Sequence, residues 1–311
     1  MHAASPYPGQ GNVAQYGAFG VPQKLNGKTR KVNPAGLVGC LFVPWFIFSV
    51  VYYIRSFSLQ YEAAGAASLL CGVFFLFVLV TGFMAFNAAM KPGVDARILG
   101  FLFVASLVAW VLGFVLGHIN FLNNMQPFYD IQNLNVYPSV NPSVFRGSQL
   151  MDAGQIQFTP GSHLDLAKSV GFKNKITYCV APIVGGNNTA SKSLSLPEKP
   201  YYDFWAVGIN CCSGHSADFH CGEFSNPQAQ SGLRLMNDAQ RQYFRLAVQE
   251  AEVIYKINAP HPIFMYWMTD TNSEISAYQY AGLRAFYMAV FVFFACQLFF
   301  VVVLIGHMMK G

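Results

Sequence analysis

Four long apolar runs limit what this chain can fold into. They span Ala35–Ile54, Ala66–Met90, Ile98–Asn120 and Leu283–Gly306. Each has roughly 20 or more predominantly apolar residues, enough to cross a hydrocarbon core of about 30 Å as a helix. Only helices and closed barrels satisfy backbone polar groups in hydrocarbon. Barrel strands alternate apolar and polar residues, and these runs do not. The chain is 54% hydrophobic and only 11% charged, whereas soluble domains carry about 25% charged residues. Pro44 removes one helical donor from the first run and predicts a kink there. The fold class expected is a membrane α-helical protein with four transmembrane helices. Between helices 3 and 4 it carries an α+β disulfide-linked extracellular or luminal domain.

The runs divide the chain into a tail (1–34), three spans (35–120), a polar segment (121–281), and a fourth span with a short end (282–311). The tail has too few aliphatic residues to bury a core and is expected to be disordered. Its basic residues lie far from the start and no small-residue cleavage site follows the apolar run, so it does not read as a signal peptide. Tyr16-Gly17-Ala18-Phe19 fits a short cytosolic sorting pattern.

Lys and Arg set the expected orientation. Lys24, Lys28, Arg30, Lys31, Lys91, Arg97 and Lys310 flank one side of the spans, and Arg55 the other. Arg284, at the start of the fourth run, runs against the rule. The balance predicts both termini cytosolic, the polar segment outside or luminal, and an integral protein of the secretory pathway or plasma membrane. Two features of the polar segment agree. Asn187-Asn188-Thr189 is an N-glycosylation acceptor. Cys179, Cys211, Cys212 and Cys221, an even set, favour disulfides in an oxidising compartment.

At about 160 residues the polar segment is long enough for its own core. Asn123–Pro142 reads as extended. Strand-like runs follow at Gln155–Phe158, His163–Ala167, Lys175–Val184 and Tyr201–Cys211, predicting a small antiparallel sheet. In the last run Trp205, Val207, Ile209 and Cys211 point one way, with Phe204, Ala206, Gly208 and Asn210 opposite. Helical spacing covers Asp238–Ile257, with an alternative start at Asn226-Pro227. Ile263–Met268 (IFMYWM) is either a last strand or an interfacial belt.

The cysteine cluster centres on Asp203–Phe224. A bond between adjacent Cys211 and Cys212 strains the peptide. That leaves Cys179 with either member of the pair and Cys221 with the other. A zinc set drawn from Cys211, Cys212, His215, His220 and Cys221 competes, but adjacent cysteines fit zinc spacings poorly, and no metal or cofactor is assigned. The turn Ser213–His220, with Ser213, His215, Asp218 and His220, is the candidate recognition surface. His163 and Asp165 share a strand face without an assignable nucleophile, and no catalytic residues are assigned. Cys40 is the candidate palmitoylation site. Gly113-Phe-Val-Leu-Gly117 allows close helix approach, preferentially within this chain.

Four spans, cytosolic ends, a small and a large outer loop, and Cys211-Cys212-Ser213-Gly214 together resemble the tetraspanins. That resemblance implies a lateral organiser of membrane partners with the large loop as its recognition surface. Tyr178-Cys-Val-Ala-Pro-Ile183 and Asp203-Phe-Trp-Ala-Val-Gly208 also look like segments of uncharacterised four-span proteins of unicellular algae and other protists.

The expected function is a non-enzymatic membrane protein presenting its disulfide-stabilised domain for adhesion, reception or lateral scaffolding. An oligomeric transporter or channel subunit is the alternative, and a luminal metal-binding or enzymatic domain the third. Expected partners are membrane lipids, proteins met through the outer domain, and a second copy of the chain. The net charge of +5 is not clustered in the polar segment, so nucleic acid is not among them.

Overall fold

The computed structural model describes residues 34–91, 96–186, 201–214 and 217–310. Helix α1 is Pro34–Ser56, α2 Ser58–Glu62, α3 Ala64–Met90 and α4 Arg97–Asn120. The last helix, α7, is Thr271–Lys310. Four of these, α1, α3, α4 and α7, are long and apolar enough to cross a membrane. Their outward side chains include Leu69, Leu76, Phe83, Phe86, Phe291 and Val302, all exposed. An apolar surface this continuous suits hydrocarbon rather than water.

Helix α1 is the hub, touching α3, α4 and α7. Its closest partner is α4, and the two small residues read from the sequence are the reason. A Cβ on Gly113 would sit 2.9 Å from the Phe48 carbonyl oxygen, and one on Gly117 2.8 Å from that of Tyr52. The Gly-x-x-x-Gly face therefore seats α4 on α1 of the same chain. The few polar groups bind across the helices. Gln297 Nε2 donates to the Cys40 carbonyl at 2.7 Å, and Trp110 Nε1 to that of Cys71 at 2.9 Å. Arg55 is buried, donates to Gln60 Oε1 at 2.7 Å, and has Nη2 3.2 Å from His118 Nδ1. A guanidinium only donates, so His118 Nδ1 accepts there. The Arg55 guanidinium also lies 4.4 Å over the Phe114 ring.

Of the segment Asn123–Pro142, expected to be extended, the first half continues helical to Gln132 and the second half, Asn135–Val140, is extended as a strand. A π-turn at Phe121–Met125 leads into α5, Gln126–Gln132. Phe121, Met125, Phe128 and Ile131 are buried on one stripe, and that burial outweighs the Asn and Pro residues between them.

Among the described residues the sheet has eight strands: β1 Asn135–Val140, β2 Ala153–Phe158, β3 His163–Leu164, β4 Val170–Asn174, β5 Ile176–Val184, β6 Phe204–Ile209, β7 Ser231–Arg234 and β8 Ile263–Met268. Their order is β1-β2-β7-β8-β6-β5-β3, with β4 also on β5. The sheet is mixed, not antiparallel as expected, because β1 pairs β2 and β6 pairs β8 in parallel. Local patterns carry no information on strand direction, which follows from the long connections. The aromatic run Ile263–Met268 is a central strand, buried on both faces.

Helix α6, Asp238–Tyr255, follows a cap by Asn237, whose side chain accepts from the Gln240 N–H. The alternative start at Asn226 does not form, and β7 stands between the two positions. Phe244, Ala247, Val248 and Ala251 of α6 pack with Val180, Trp205, Val207 and Phe264 on one sheet face. Cys179, Ala181, Phe204, Ala206 and Met265 point to the other face, with Leu150, Phe219 and Ala229. The sheet also rests on the helices: Leu233 packs with Phe121, Met125, Phe128 and Ile275, flanked by Tyr266 and Met268. Asn120 Nδ2 donates to the Gly282 carbonyl at 3.1 Å, tying α4 to α7.

Candidate functional site

The site grows from the end of β6. Strands β6 and β8 pair in register only at Phe204–Ile263, Trp205–Phe264 and Ala206–Met265. Beyond these pairs the chain between His220 and Glu223 bridges the two strand ends. The His220 N–H donates to the Cys211 carbonyl at 2.9 Å, and the Glu223 N–H to that of Trp267 at 3.3 Å. Carboxyl ends of neighbouring parallel strands are where crevices form in open sheets.

Cysteines build one wall. Cys179 bonds Cys212, and Cys211 bonds Cys221, with Cα separations of 5.9 and 5.1 Å. This resolves the pairing that the sequence left open. The first closes a separation of 33 residues, a constraint on the unfolded chain of about 3–4 kcal/mol. The position of Cys211 differs from the strand alternation. Asn210 takes φ +55°, a left-handed turn that Asn tolerates better than most residues. Its backbone N–H donates to the Thr177 carbonyl at 2.8 Å and its Oδ1 accepts from the Thr177 N–H at 2.9 Å. That turn brings Cys211 back over Gly208, onto the face opposite to the one expected. A Cβ on Gly208 would lie 2.5 Å from the sulfurs of Cys211 and Cys221. A Cβ on Gly171 of β4 would lie 2.6 Å from Cys212 Sγ. Two glycines on strands flanking β5 thus make room for both bridges.

The sulfurs of Cys179, Cys211 and Cys221 lie within 4.8 Å of one another. All are committed to disulfides, so they offer no thiolate to the zinc set weighed from sequence. His215 of that set lies outside the described residues, as does the acceptor Asn187.

The described ends of the turn expected to serve recognition are joined through the Asp218 carboxylate. Both Asp218 oxygens accept from the Ser213 N–H, at 3.0 and 2.9 Å. That backbone bond holds the Asp218 carboxyl below the usual carboxylate range. His220 Nδ1–H donates to the Asp218 carbonyl at 2.8 Å, which leaves Nε2 outward. Ser213 and His220 are exposed, while Phe219 between them is buried. Glu223 is clamped by Thr269 Oγ1 at 2.5 Å, by the Thr269 N–H at 3.2 Å and by Asn226 Nδ2 at 2.6 Å. These bonds, Thr269 first, depress its pKa.

Between these walls lies a cavity of about 570 Å³, within the size range of small-ligand sites. Its lining includes the Cys211–Cys221 bridge, His220, Glu223, Tyr266, Glu274 and Tyr278. Burial pushes the Tyr266 phenol up to about 12, so its hydroxyl stays neutral and able to donate. Glu274 and Tyr278 belong to the first turns of α7. Sequence reading found the turn and the cysteines but missed Glu223, Tyr266, Glu274 and Tyr278. They come from three places in the chain, the loop before β7, strand β8 and helix α7, and only the aromatic density of Ile263–Met268 hinted at one of them.

Other sequence candidates disperse. His163 Nδ1–H donates to the Gly161 carbonyl at 3.0 Å, whereas the Asp165 carboxylate pairs with Lys168. Cys40, the palmitoylation candidate, is fully buried with its thiol toward the Ile98 carbonyl.

The four apolar helices and the disulfides in a strand-rich region between the third and fourth are compatible with the layout of the tetraspanins. Comparison with protein-family models finds no match. Comparisons with curated proteins and with solved structures find none either.

Proposed function

We propose that this chain is a membrane receptor: both termini are cytosolic, and the sheet domain is a recognition head on the outer or luminal side. The crevice between β6, β8 and α7 takes the ligand. The observation that carries this reading is the shared lining. Tyr266 and Glu223 come from the sheet side, while Glu274 and Tyr278 come from α7, a single helix of 40 residues. At 1.5 Å per residue that helix is about 60 Å long, enough to run from the crevice through a bilayer. A ligand that touches both sides bears directly on a helix reaching the far side of the membrane. Orientation is supported by the distribution of Lys and Arg and by the disulfides, which persist in oxidising compartments.

The lining carries two carboxylates, three aromatic rings with Trp267, and, among the described residues, no Lys or Arg. That chemistry suits a cationic group, such as a basic side chain of a partner protein, held by charge and by ring faces. The test places a photoreactive residue at position 278 of the full chain in cells. A partner cross-linked there, and lost from a Glu274→Gln version of the same protein, supports the reading. Equal capture from position 136, on the exposed edge strand β1, or capture indifferent to Glu274→Gln, contradicts it.

A further inference from the structure

The two disulfides are stacked where one would be expected to stand apart from the other, and one of them opens to the crevice. We propose that they form a thiol–disulfide relay, which accepts a small-molecule thiol at Cys211 and releases a thiol at Cys212. This inference stands independently of the partner reading.

Three observations carry it. Cys211 and Cys221 line the cavity, and Cys211 is the less buried of the two. Cys179 Sγ lies within 4.8 Å of both Cys211 Sγ and Cys221 Sγ, while its own partner, Cys212, falls outside that group. Finally, Gly171 and Gly208 leave the room in which both bridges lie side by side, since a Cβ at either would strike sulfur.

The chemistry balances in two exchanges. A small thiolate in the crevice attacks Cys211 Sγ, the Cys211–Cys221 bond breaks, and Cys221 leaves as thiolate. Cys221 Sγ then attacks neighbouring Cys179 Sγ, the Cys179–Cys212 bond breaks, and Cys212 leaves as thiolate. One thiolate enters and one is released, and no net oxidant or reductant is consumed. The product holds the small thiol on Cys211, a new Cys179–Cys221 bond, and a free Cys212. The turn Ser213–His220 exchanges its anchor: before, Cys212 fastens its start to β5; afterwards, Cys221 fastens its end.

The test uses the unsubstituted full chain in detergent micelles, treated with limiting cysteamine, acid-quenched, alkylated and mapped without reduction. The relay predicts that most singly modified molecules carry cysteamine on Cys211, alkyl label on Cys212 and a Cys179–Cys221 linked peptide. Cysteamine on Cys211 with label on Cys221 and the Cys179–Cys212 bond intact overturns it. So does adduct on Cys212 with the Cys211–Cys221 bond intact, or the absence of any adduct under these conditions. A Cys212→Ser chain gives a second reading: its unpaired Cys179 should exchange with the Cys211–Cys221 bond, so that part of the label appears on Cys211 or Cys221. Label confined to Cys179 contradicts the proposal.

Discussion

Gly208 and Asn210 decide how the cysteines meet, and neither is a residue that motif reading singles out. A Cβ at 208 would overlap two sulfurs. Gly208→Ala should therefore cost about 1–3 kcal/mol, the range of overpacked cores, read as a lower thermal midpoint with both bridges still formed. The presence of four paired cysteines was legible in the sequence, because an even set of cysteines in one polar segment favours disulfides from count alone. The face of Cys211 was not legible. Strand alternation holds through Ile209 and is broken by a single left-handed residue, which leaves no periodic trace.

Two carboxylates make the site pH-sensitive. Asp218 and Glu223 have folded-state pKa values below their ordinary ones. Their contribution to local order is therefore complete above the usual carboxylate range and is lost as pH falls through the depressed values. Amide hydrogen exchange at Ser213 and Thr269 should accelerate on acidification, after correction for intrinsic rates, before exchange in β5 does. Simultaneous acceleration in all three would argue against the clamps.

Among the elements, α1, α3, α4 and α6 were read to within about two residues, since long periodic segments state their own type, whereas α7 begins at Thr271, well before the expected Leu283, because its first turns are polar and carry no hydropathy signal. The connection from α4 through α5 was misread as extended, although Phe121, Met125, Phe128 and Ile131 already stood at helical spacing. Asn and Pro residues masked the stripe. Strand β7 has only four residues, and its place between β2 and β8 is decided by tertiary pairing rather than by anything local. At the level of helix packing, Gly117→Leu should lower the thermal midpoint in detergent, because its side chain must displace the Tyr52 carbonyl and Arg55 Cβ. A matched substitution at Gly72, where a Cβ meets nothing within 4 Å, should leave the midpoint nearly unchanged. Equal effects would remove the α1–α4 seat from the account.

The whole molecule differs from a loop domain on flexible tethers. Leu233, Tyr266 and Met268 of the sheet share an apolar cluster with α5, α7 and the π-turn, so sheet and helices meet through packed side chains. Leu233 is nearly fully buried, and Leu233→Ala should destabilise by about 2–5 kcal/mol, seen as loss of cooperativity between sheet and helix unfolding in a thermal melt. The layout of this molecule was legible from hydropathy, whereas the crevice was not, because its lining is assembled from segments far apart in the chain.

A disulfide-built head facing an oxidising compartment is the central proposal. Non-reducing peptide mapping of the protein taken from membranes, with and without glycosidase, tests this most directly. It should recover Cys179–Cys212 and Cys211–Cys221 linked peptides and a glycosidase-sensitive mass at Asn187. Alkylation of Cys211 and Cys212 before reduction, together with an unmodified Asn187 peptide, would contradict the orientation and the site together.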